Sequence, residues 1–338
     1  MDLARKVKAF AQKLGLEVRI ASAAPFSEES ERIRAQQARR LFLNRDFVSE
    51  LEIDKFCNPA SILKDARSII SGFLFYLTPE EPDPTKPGDP YGVVAHYTRR
   101  NYYKELKRRL KKLGVWLKNE YQAKVATYSC GPIAEKPIAQ RSGIGYYGKH
   151  SIIINPVYGS WIVLGEIITD LVLEPDEPLN MDCGECRKCI EACPTGAIIE
   201  PYILDRKKCI QSLTTHREVI SDAIARVWGN RIYGCTTCQE VCPFNKKIKP
   251  ESPKTDIGIV GSYISLIEIL QMDEVTYRNK YKNNQISARW VNFEAIKRNA
   301  LIALGNIKDK KTLDLIKKFI NSQSRILRET ARWALNQF

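Results

Sequence analysis

The stretch CGECRKCIEACPTGAI, residues 183–198, arranges four cysteines in the pattern C-x2-C-x2-C-x3-C-P. In this bacterial ferredoxin pattern, three closely spaced thiolates bind one iron–sulfur cubane and the fourth cysteine binds a second one. Four more cysteines follow at Cys209, Cys235, Cys238 and Cys242, and the last again precedes a proline. The second group therefore repeats the first, with a long insertion after its first cysteine.

Exchange of the fourth ligands between the two groups predicts two complete ligand sets. The first set is Cys183, Cys186, Cys189 and Cys242, and the second is Cys193, Cys209, Cys235 and Cys238. Two zinc ribbons are the alternative, but zinc sites usually present two separated C-x2-C pairs. The pattern favours two 4Fe–4S clusters and hence one-electron transfer, by a redox enzyme or by an electron carrier.

The chain is much longer than a ferredoxin, with 338 residues of which 44% are hydrophobic. That content excludes disorder of the whole chain, and the length predicts two or three domains. Ten cysteines are too few for a disulfide scaffold, which favours a reduced setting. No apolar run is long enough for a signal peptide or a membrane span, so we expect a cytoplasmic protein without a membrane partner.

Strand-like and helix-like segments divide the chain into three parts. Apolar β-rich runs at 68–77 and 161–169 alternate with helical patterns at 27–45 and 100–121, which predicts an α/β domain over 1–178. The cysteines occupy a module over 179–250. Helical periodicity returns over 251–338, where KRNALIALGNI and RETARWALNQF recur about thirty residues apart, as in HEAT-type repeats. Three helices are predicted there, over 295–307, 311–320 and 326–338.

The net charge of +14 is concentrated in two segments. Residues 97–118 carry nine basic side chains and one acidic one, and residues 282–338 carry twelve basic and four acidic ones. Aromatic residues are interleaved with both, which favours a polyanionic partner over two merely solvated helix faces. DNA, RNA and a phosphate-rich cofactor are all compatible with charge alone.

Four long stretches carry a resemblance to a known family. They are GPIAEKPIAQRSGIGYYGKHSIIINPVYGSWIVLGEIITD at 131–170, the cysteine stretch at 183–198, NRIYGCTTCQEVCPFN at 230–245 and KRNALIALG at 297–305. Together they resemble the epoxyqueuosine reductases, cobalamin-dependent iron–sulfur enzymes of tRNA modification. The resemblance covers nearly the whole chain, and reductive dehalogenases share the architecture more distantly.

This resemblance implies an α+β protein built from three units. A nitroreductase-like α/β domain over 1–178 would bind cobalamin, a ferredoxin-like module over 179–250 would hold two 4Fe–4S clusters, and a HEAT-like helical region over 251–338 would bind tRNA. The reaction would convert epoxyqueuosine to queuosine at the wobble base, with two electrons and two protons leaving an alkene and water. The implied partners are the tRNA anticodon stem-loop and a low-potential electron donor, and the implied state is a monomer.

The resemblance also implies binding residues. The expected cobalamin contacts are Phe56, Val94, Ser129, Ile153, Leu164 and Gln211. The expected tRNA contacts are Arg217, Lys297, Arg298, Lys317, Lys318, Arg325 and Arg328.

The chain departs from the family where the catalytic acid is expected. The family has Asp-(Ser/Thr)-Gly there, whereas this sequence has Ser129-Cys130-Gly131, and a serine hydroxyl is a far weaker acid. The family's Asp-Tyr-His likewise becomes Asn101-Tyr102-Tyr103. The catalytic candidates are therefore Ser129, Cys130 and Tyr102. Three hypotheses follow: the same substrate with another proton source, a paralogous reductase with another substrate, or a non-catalytic electron-transfer activator.

Overall fold

The computed structural model describes residues 2–43 and 49–338. Its strands are β1 (Glu17–Ser22), β2 (Ser68–Phe75), β3 (Tyr91–Val94), β4 (Val125–Tyr128), β5 (Tyr146–Tyr147), β6 (Ile153–Ile154), β7 (Ile162–Thr169), β8 (Ile198–Glu200), β9 (Ile203–Leu204), β10 (Arg231–Tyr233) and β11 (Tyr263–Ser265). Its α-helices are α1 (Leu3–Lys13), α2 (Ser27–Ala38), α3 (Glu50–Cys57), α4 (Tyr102–Tyr121), α5 (Glu135–Arg141), α6 (Lys188–Glu191), α7 (Ile210–Leu213), α8 (Asp222–Arg226), α9 (Thr237–Glu240), α10 (Leu266–Gln271), α11 (Glu274–Lys280), α12 (Phe293–Ile307), α13 (Leu313–Lys317) and α14 (Arg325–Leu335). Short 3-10 helices lie at Pro59–Ser61, His96–Thr98, Gln285–Ser287 and Lys310–Thr312. None of the helices within these described ranges combines the length and the apolar character that crossing a bilayer requires.

A four-stranded sheet in the order β1-β2-β7-β4 organises the N-terminal part. Every residue of β2 and β7 is buried, because helices cover both faces of these central strands. Helix α4 lies close against one face: a Cβ atom on Gly165 would come within 2.8 Å of Leu110, so the glycine permits this approach. The strand pairings are all antiparallel, so this part is α+β rather than the α/β domain that the alternation of elements predicts.

A second sheet, β10-β3-β11, joins the three parts of the chain. Val93 of the central strand pairs in parallel with Arg231 and antiparallel with Tyr263. Val94 and Ile232 then enter one apolar core with residues of α10, α12 and α14. The cysteine-rich module is therefore attached by backbone pairing to β3 of the N-terminal part, which on its other side pairs with β11 of the C-terminal part.

The C-terminal helices lie close to their predicted positions. Helix α12 matches the prediction over 295–307 and α14 the prediction over 326–338, whereas α13 is shorter than predicted. Helices α12 and α14 pack tightly at Gly305, which has no side chain. A Cβ atom at this position would lie only 2.8 Å from the Trp333 ring. The helix predicted over 27–45 is present as α2, and residues 44 and 45 lie outside the described ranges.

Candidate functional site

The first predicted set of cysteines surrounds a single cavity. Cys183, Cys186, Cys189 and Cys242 line it together with Pro243, Phe244, Lys149 and His150. The amide of Cys186 donates to the Cys183 carbonyl at 3.1 Å, which curls the 183–186 turn around the site. Burial and the neighbouring thiols raise the pKa of Cys189 to about 11. Crowded thiols of this kind become thiolates only when a strongly positive centre binds them.

The second predicted set is also brought together, beside the first. Burial raises the pKa of Cys209, and Cys235 and Cys193 raise it further. The pKa of Cys238 is raised by burial and by four neighbouring thiols, three from its own set and Cys189 from the other. Within the described ranges, no three His, Cys, Asp or Glu side chains converge on one metal ion.

Two short helices produce this exchange of ligands. Helix α6 carries Cys189 and is followed by Cys193, and α9 carries Cys238 and is followed by Cys242. Each helix therefore sends one thiol to each site, because the chain turns between its two cysteines. The amide of Ala197 donates to the Cys193 sulfur at 3.2 Å, which orients that thiol after the turn.

Residues 129–131, where the family's acid is expected, form a tight loop after β4. Ser129 is buried, and its hydroxyl donates to the Leu164 carbonyl at 2.8 Å. Cys130 is exposed and has a left-handed backbone with φ of 58°. A side chain at Gly131 would collide with Tyr128, since its Cβ would lie 2.5 Å from the Tyr128 Cβ. The serine is thus engaged with the backbone, and the cysteine is exposed to solvent.

Two carboxyl groups lie beside this loop, the partly exposed Glu135 and the buried Glu166, and the sequence reasoning missed both. Glu135 begins α5 and accepts a hydrogen bond from the Gly131 amide at 3.2 Å. Glu166 lies in β7 opposite Tyr128, is 1% exposed, and has an Oε1 without a hydrogen-bond partner in the described part of the chain. The sequence did contain a sign of Glu166, because it is the one acidic residue within the apolar strand IVLGEIIT.

Burial also perturbs the acidity of these groups. It raises the pKa of Glu135 to about 7, although the Gly131 and Cys130 amides act in the opposite direction. It raises the pKa of Glu166 well above its usual range, and the charge of Glu135 adds to the effect. The pKa of Cys130 rises to about 11, so this thiol is protonated at neutral pH. The loop therefore adjoins two carboxyl groups that favour their protonated forms.

The tyrosine that lies beside the 129–131 loop is Tyr103, not the predicted Tyr102. Tyr102 has no exposed surface and packs in the apolar core between α4 and the four-stranded sheet, so it cannot contact a substrate. Tyr103 is surrounded by Cys130, Glu135 and Tyr233, whose charges and its own burial raise its pKa. A helix turns by about 100° per residue, so adjacent side chains face different surroundings.

The predicted cobalamin contacts are only partly consistent with the structure. The carbonyl of Phe56 accepts the Ala134 amide at 3.0 Å beside the loop, and Gln211 is exposed on α7 after Cys209. Ile153 and Leu164 lie together in a small apolar cluster. The prediction for Val94 is wrong for its side chain, which has no exposed surface and points into the core formed with the C-terminal helices.

Most of the predicted tRNA contacts are on the surface, with one correction. Lys317, Lys318, Arg217 and Arg325 are exposed, and Lys297 and Arg328 are partly exposed. Arg298, in contrast, is fully buried and donates to the carbonyls of Leu213, His216 and Glu218. A guanidinium that is enclosed in this way cannot bind phosphate, so the prediction for Arg298 is wrong.

A groove of about 660 Å³ connects two of the surface cations. Arg217, Lys297, Arg278 and Arg289 line it, and the Trp290 ring, which is 51% exposed, stands among them. Exposed aromatic rings next to guanidinium groups are suited to single-stranded nucleic acid, because bases stack on the ring while cations meet phosphate. The sequence reasoning missed Arg289 and Trp290.

Comparisons with known proteins agree with this geometry. Residues 57–130 match the family model described as "Epoxyqueuosine reductase QueG, DUF1730", and residues 182–245 match the "4Fe-4S double cluster binding domain". The epoxyqueuosine reductase of Bacillus anthracis is 35% identical over 99% of this chain and 89% of its own length, and that of Vibrio cholerae is 32% identical over 99% and 92%.

A solved structure of an epoxyqueuosine reductase with an epoxyqueuosine-modified tRNA-Tyr stem loop superimposes with a TM-score of 0.89. It is 28% identical and covers 99% of this chain and 90% of its own. Similarity of this extent includes the cysteine sites, the 129–131 loop and the C-terminal helices alike. The chain therefore belongs to the epoxyqueuosine reductase family and carries its double iron–sulfur cluster domain.

Proposed function

We propose that this protein reduces epoxyqueuosine to queuosine at the wobble base of tRNA. The observation that carries the proposal is the convergence of eight thiols into two adjacent groups beside the 129–131 loop, in a chain that matches a tRNA-bound relative over its full length. The finer division of the fold belongs to the same proposal: a nitroreductase-like domain over 1–178, a ferredoxin-like module over 179–250 and a HEAT-like region over 251–338. We further propose a cytoplasmic, monomeric enzyme that takes electrons from a low-potential donor.

The two groups of thiols are the proposed ligands of two 4Fe–4S clusters. Cys183, Cys186, Cys189 and Cys242 would hold one cluster, and Cys193, Cys209, Cys235 and Cys238 the other. The nearness of Cys189 to Cys238 supports electron transfer between the clusters. The second site is the one closer to the loop, since Tyr97 is near both Cys209 and Tyr103.

Cobalamin is the cofactor that the family implies, and the cleft beside the loop suits a large anionic ligand. Lys136 is exposed, yet the surrounding protein and the positive charges of Arg206 and Arg32 lower its pKa to about 8. Cations that destabilise one another favour an anion such as the phosphate of cobalamin. Phe56, Ile153, Leu164 and Gln211 and the loop's backbone would hold the cofactor. When bound, cobalamin supplies the reducing electrons at the epoxide carbon.

The roles of the chain's own residues then follow from their positions. The loop and the Tyr103 ring would orient the cyclopentane ring of the substrate in the cleft. The groove with Trp290 and the exposed cations of α13 and α14 would hold the anticodon stem-loop. Two of the eight thiols, Cys189 and Cys242, are buried and the other six are partly buried, which would limit the access of water and oxygen to the clusters.

Ser129 favours a second candidate, a paralogous reductase or an electron-transfer activator that acts on another substrate. The decisive experiment supplies epoxyqueuosine-containing tRNA, reconstituted protein and a strong reductant, and measures queuosine by mass spectrometry of the nucleosides. Queuosine formation would support the proposed reductase. If no queuosine formed while clusters and cobalamin were bound, the paralogue would be favoured, and an absorbance spectrum without corrinoid bands would favour the activator.

A further inference from the structure

The proposed reaction needs a proton donor, and the carboxylic acid that the family has at position 129 is absent from this chain. Another carboxylic acid lies beside the same loop. Ser129 cannot replace a carboxylic acid, because its hydroxyl proton is engaged with the Leu164 carbonyl and a hydroxyl is too weak an acid at neutral pH. Cys130 is exposed, but its thiol is held in the protonated form by burial and by nearby carboxyl groups. A proton for the departing oxygen must therefore come from a stronger acid near this loop.

We infer that Glu135 is the proton donor of this site and that Glu166, behind it, is a positioning residue that keeps Glu135 protonated. This inference rests on the proposed function. Glu135 contacts the loop directly, through its hydrogen bond from the Gly131 amide at 3.2 Å. It is partly exposed, so a substrate in the cleft has access to it, whereas Glu166 is enclosed.

The register of the sheet explains how Glu166 acts. Tyr128 of β4 pairs with Glu166 of β7, so the chain that enters the loop passes directly over this buried carboxyl group. One oxygen of Glu166 has no hydrogen-bond partner in the described part of the chain. Burial raises the pKa of both carboxyl groups, and the charge of Glu135 further opposes ionisation of Glu166, so the two do not readily ionise together. The arrangement retains one proton at neutral pH without a metal or an arginine.

Other titratable groups around the pair do not cancel this effect. Lys107 of α4 faces Glu166 and Cys130, and Lys136 follows Glu135 on its own helix; both favour ionisation, but less strongly than burial opposes it. Tyr103 of α4 also faces Glu135 and stays neutral because burial raises its pKa. Beside this loop both the Glu135 carboxyl, with a pKa of about 7, and the Lys136 ammonium, with a pKa of about 8, titrate near neutrality.

The proposed step balances as follows. The O–H bond of the Glu135 carboxyl breaks and its proton joins the epoxide oxygen. Both carbon–oxygen bonds of the epoxide break and the carbon–carbon double bond forms, with two electrons from the reductant. A second proton, from solvent, completes the water that leaves with the alkene product. Solvent then reprotonates Glu135 through the cleft.

The test compares Glu135→Gln, Glu166→Gln and the conservative Glu135→Asp, with the exposed Glu120→Gln on α4 as the matched control. In the holoprotein, infrared spectra at neutral pH should show protonated carboxyl bands, one removed by Glu135→Gln and another removed by Glu166→Gln, and the control should retain both. Single-turnover rates should fall about 100-fold or more in Glu135→Gln and less in Glu135→Asp. The wild-type rate should fall at high pH, and the pH at which it falls should be different in the Glu166→Gln variant.

A rescue variant separates proton donation from structural damage. Adding Ser129→Asp to Glu135→Gln restores an acid at the family's position and should recover at least about tenfold in rate. A wild-type rate in Glu135→Gln, or carboxyl bands that neither Gln variant removes, would overturn the inference. If wild-type protein made no queuosine, the proposed function would fail, and the infrared bands would still decide whether the pair stores a proton.

Discussion

The burial of Arg298 leads to a specific prediction about stability. This side chain of α12 donates to the carbonyls of Leu213, His216 and Glu218 at 2.7–2.8 Å, and it also contacts the amide oxygen of Asn299. Leu213 is the last residue of α7, which follows Cys209, and His216 and Glu218 come shortly after it. Arg298 therefore ties the C-terminal helices to the second cysteine site. We expect Arg298→Met to destabilise the holoprotein rather than to weaken tRNA binding.

The magnitude follows from the contacts. A hydrogen bond from a charged donor contributes about 1.5–3 kcal/mol, and two of the three carbonyls belong to buried residues. Removing one partner of a buried charged network costs about 3–5 kcal/mol, because relief from burying the guanidinium offsets part of the loss. At about 2 °C per kcal/mol for a chain of this size, the melting temperature should fall by about 6–10 °C.

The assay is anaerobic thermal unfolding of the reconstituted protein, with Arg325→Met as the matched control. Arg325 is 76% exposed and pairs with Glu329 one helical turn away, so its loss should cost less than about 0.5 kcal/mol. The salt dependence of tRNA binding, measured well below the melting temperature, should be unchanged in Arg298→Met. Unchanged melting together with a flatter salt dependence would refute the reasoning.

Four further outcomes are expected. Cys209→Ser should reduce bound iron from about eight to about four atoms per chain in metal analysis, whereas Cys57→Ala, outside both sets, should not. Ser129→Asp should raise the rate of queuosine formation about tenfold; an unchanged rate would mean that the loop cannot present an acid. The Glu166→Gln variant should be more stable than the wild type at about pH 8 but not at about pH 4. The pKa of Glu166 is higher in the folded protein than in the unfolded chain, so the wild type loses stability as the pH rises from the unfolded-state pKa to the folded-state pKa. Replacing the basic side chains of the α13–α14 region by Glu should weaken tRNA binding and flatten its salt dependence. If the variant and the wild type showed the same dependence of tRNA affinity on salt, the interface would lie elsewhere. The residues to be replaced are Lys317, Lys318, Arg325 and Arg328.

The predictions that held were those carried by local spacing. The cysteine pattern predicts which thiols share a site because short intervals leave the chain few ways to turn, and the structure brings the same two groups together. The helices over 295–307 and 326–338 follow from a period of 3.6 residues, which is a property of the segment itself.

The predictions that failed depended on neighbours that are distant in sequence. Arg298 lies in a basic helix, but the carbonyls that bury it belong to a segment about eighty residues earlier. Tyr102 and Tyr103 are adjacent and chemically alike, and only the packing of α4 decides which one faces the loop. Whether a charged or polar side chain is buried depends on which surfaces meet, and local patterns do not contain that information.

By itself the sequence determined the family and the uneven charge, and it predicts the cysteine ligand sets, because each depends on residue types at short spacing. Only the tertiary structure decided which carboxyl groups lie in the site and have raised pKa values. Glu135 and Glu166 are thirty-one positions apart, on a helix and a strand, and their spacing in the sequence does not show that they meet. Their proximity follows from α5 lying against β7, and their protonation follows from the exclusion of water by that packing.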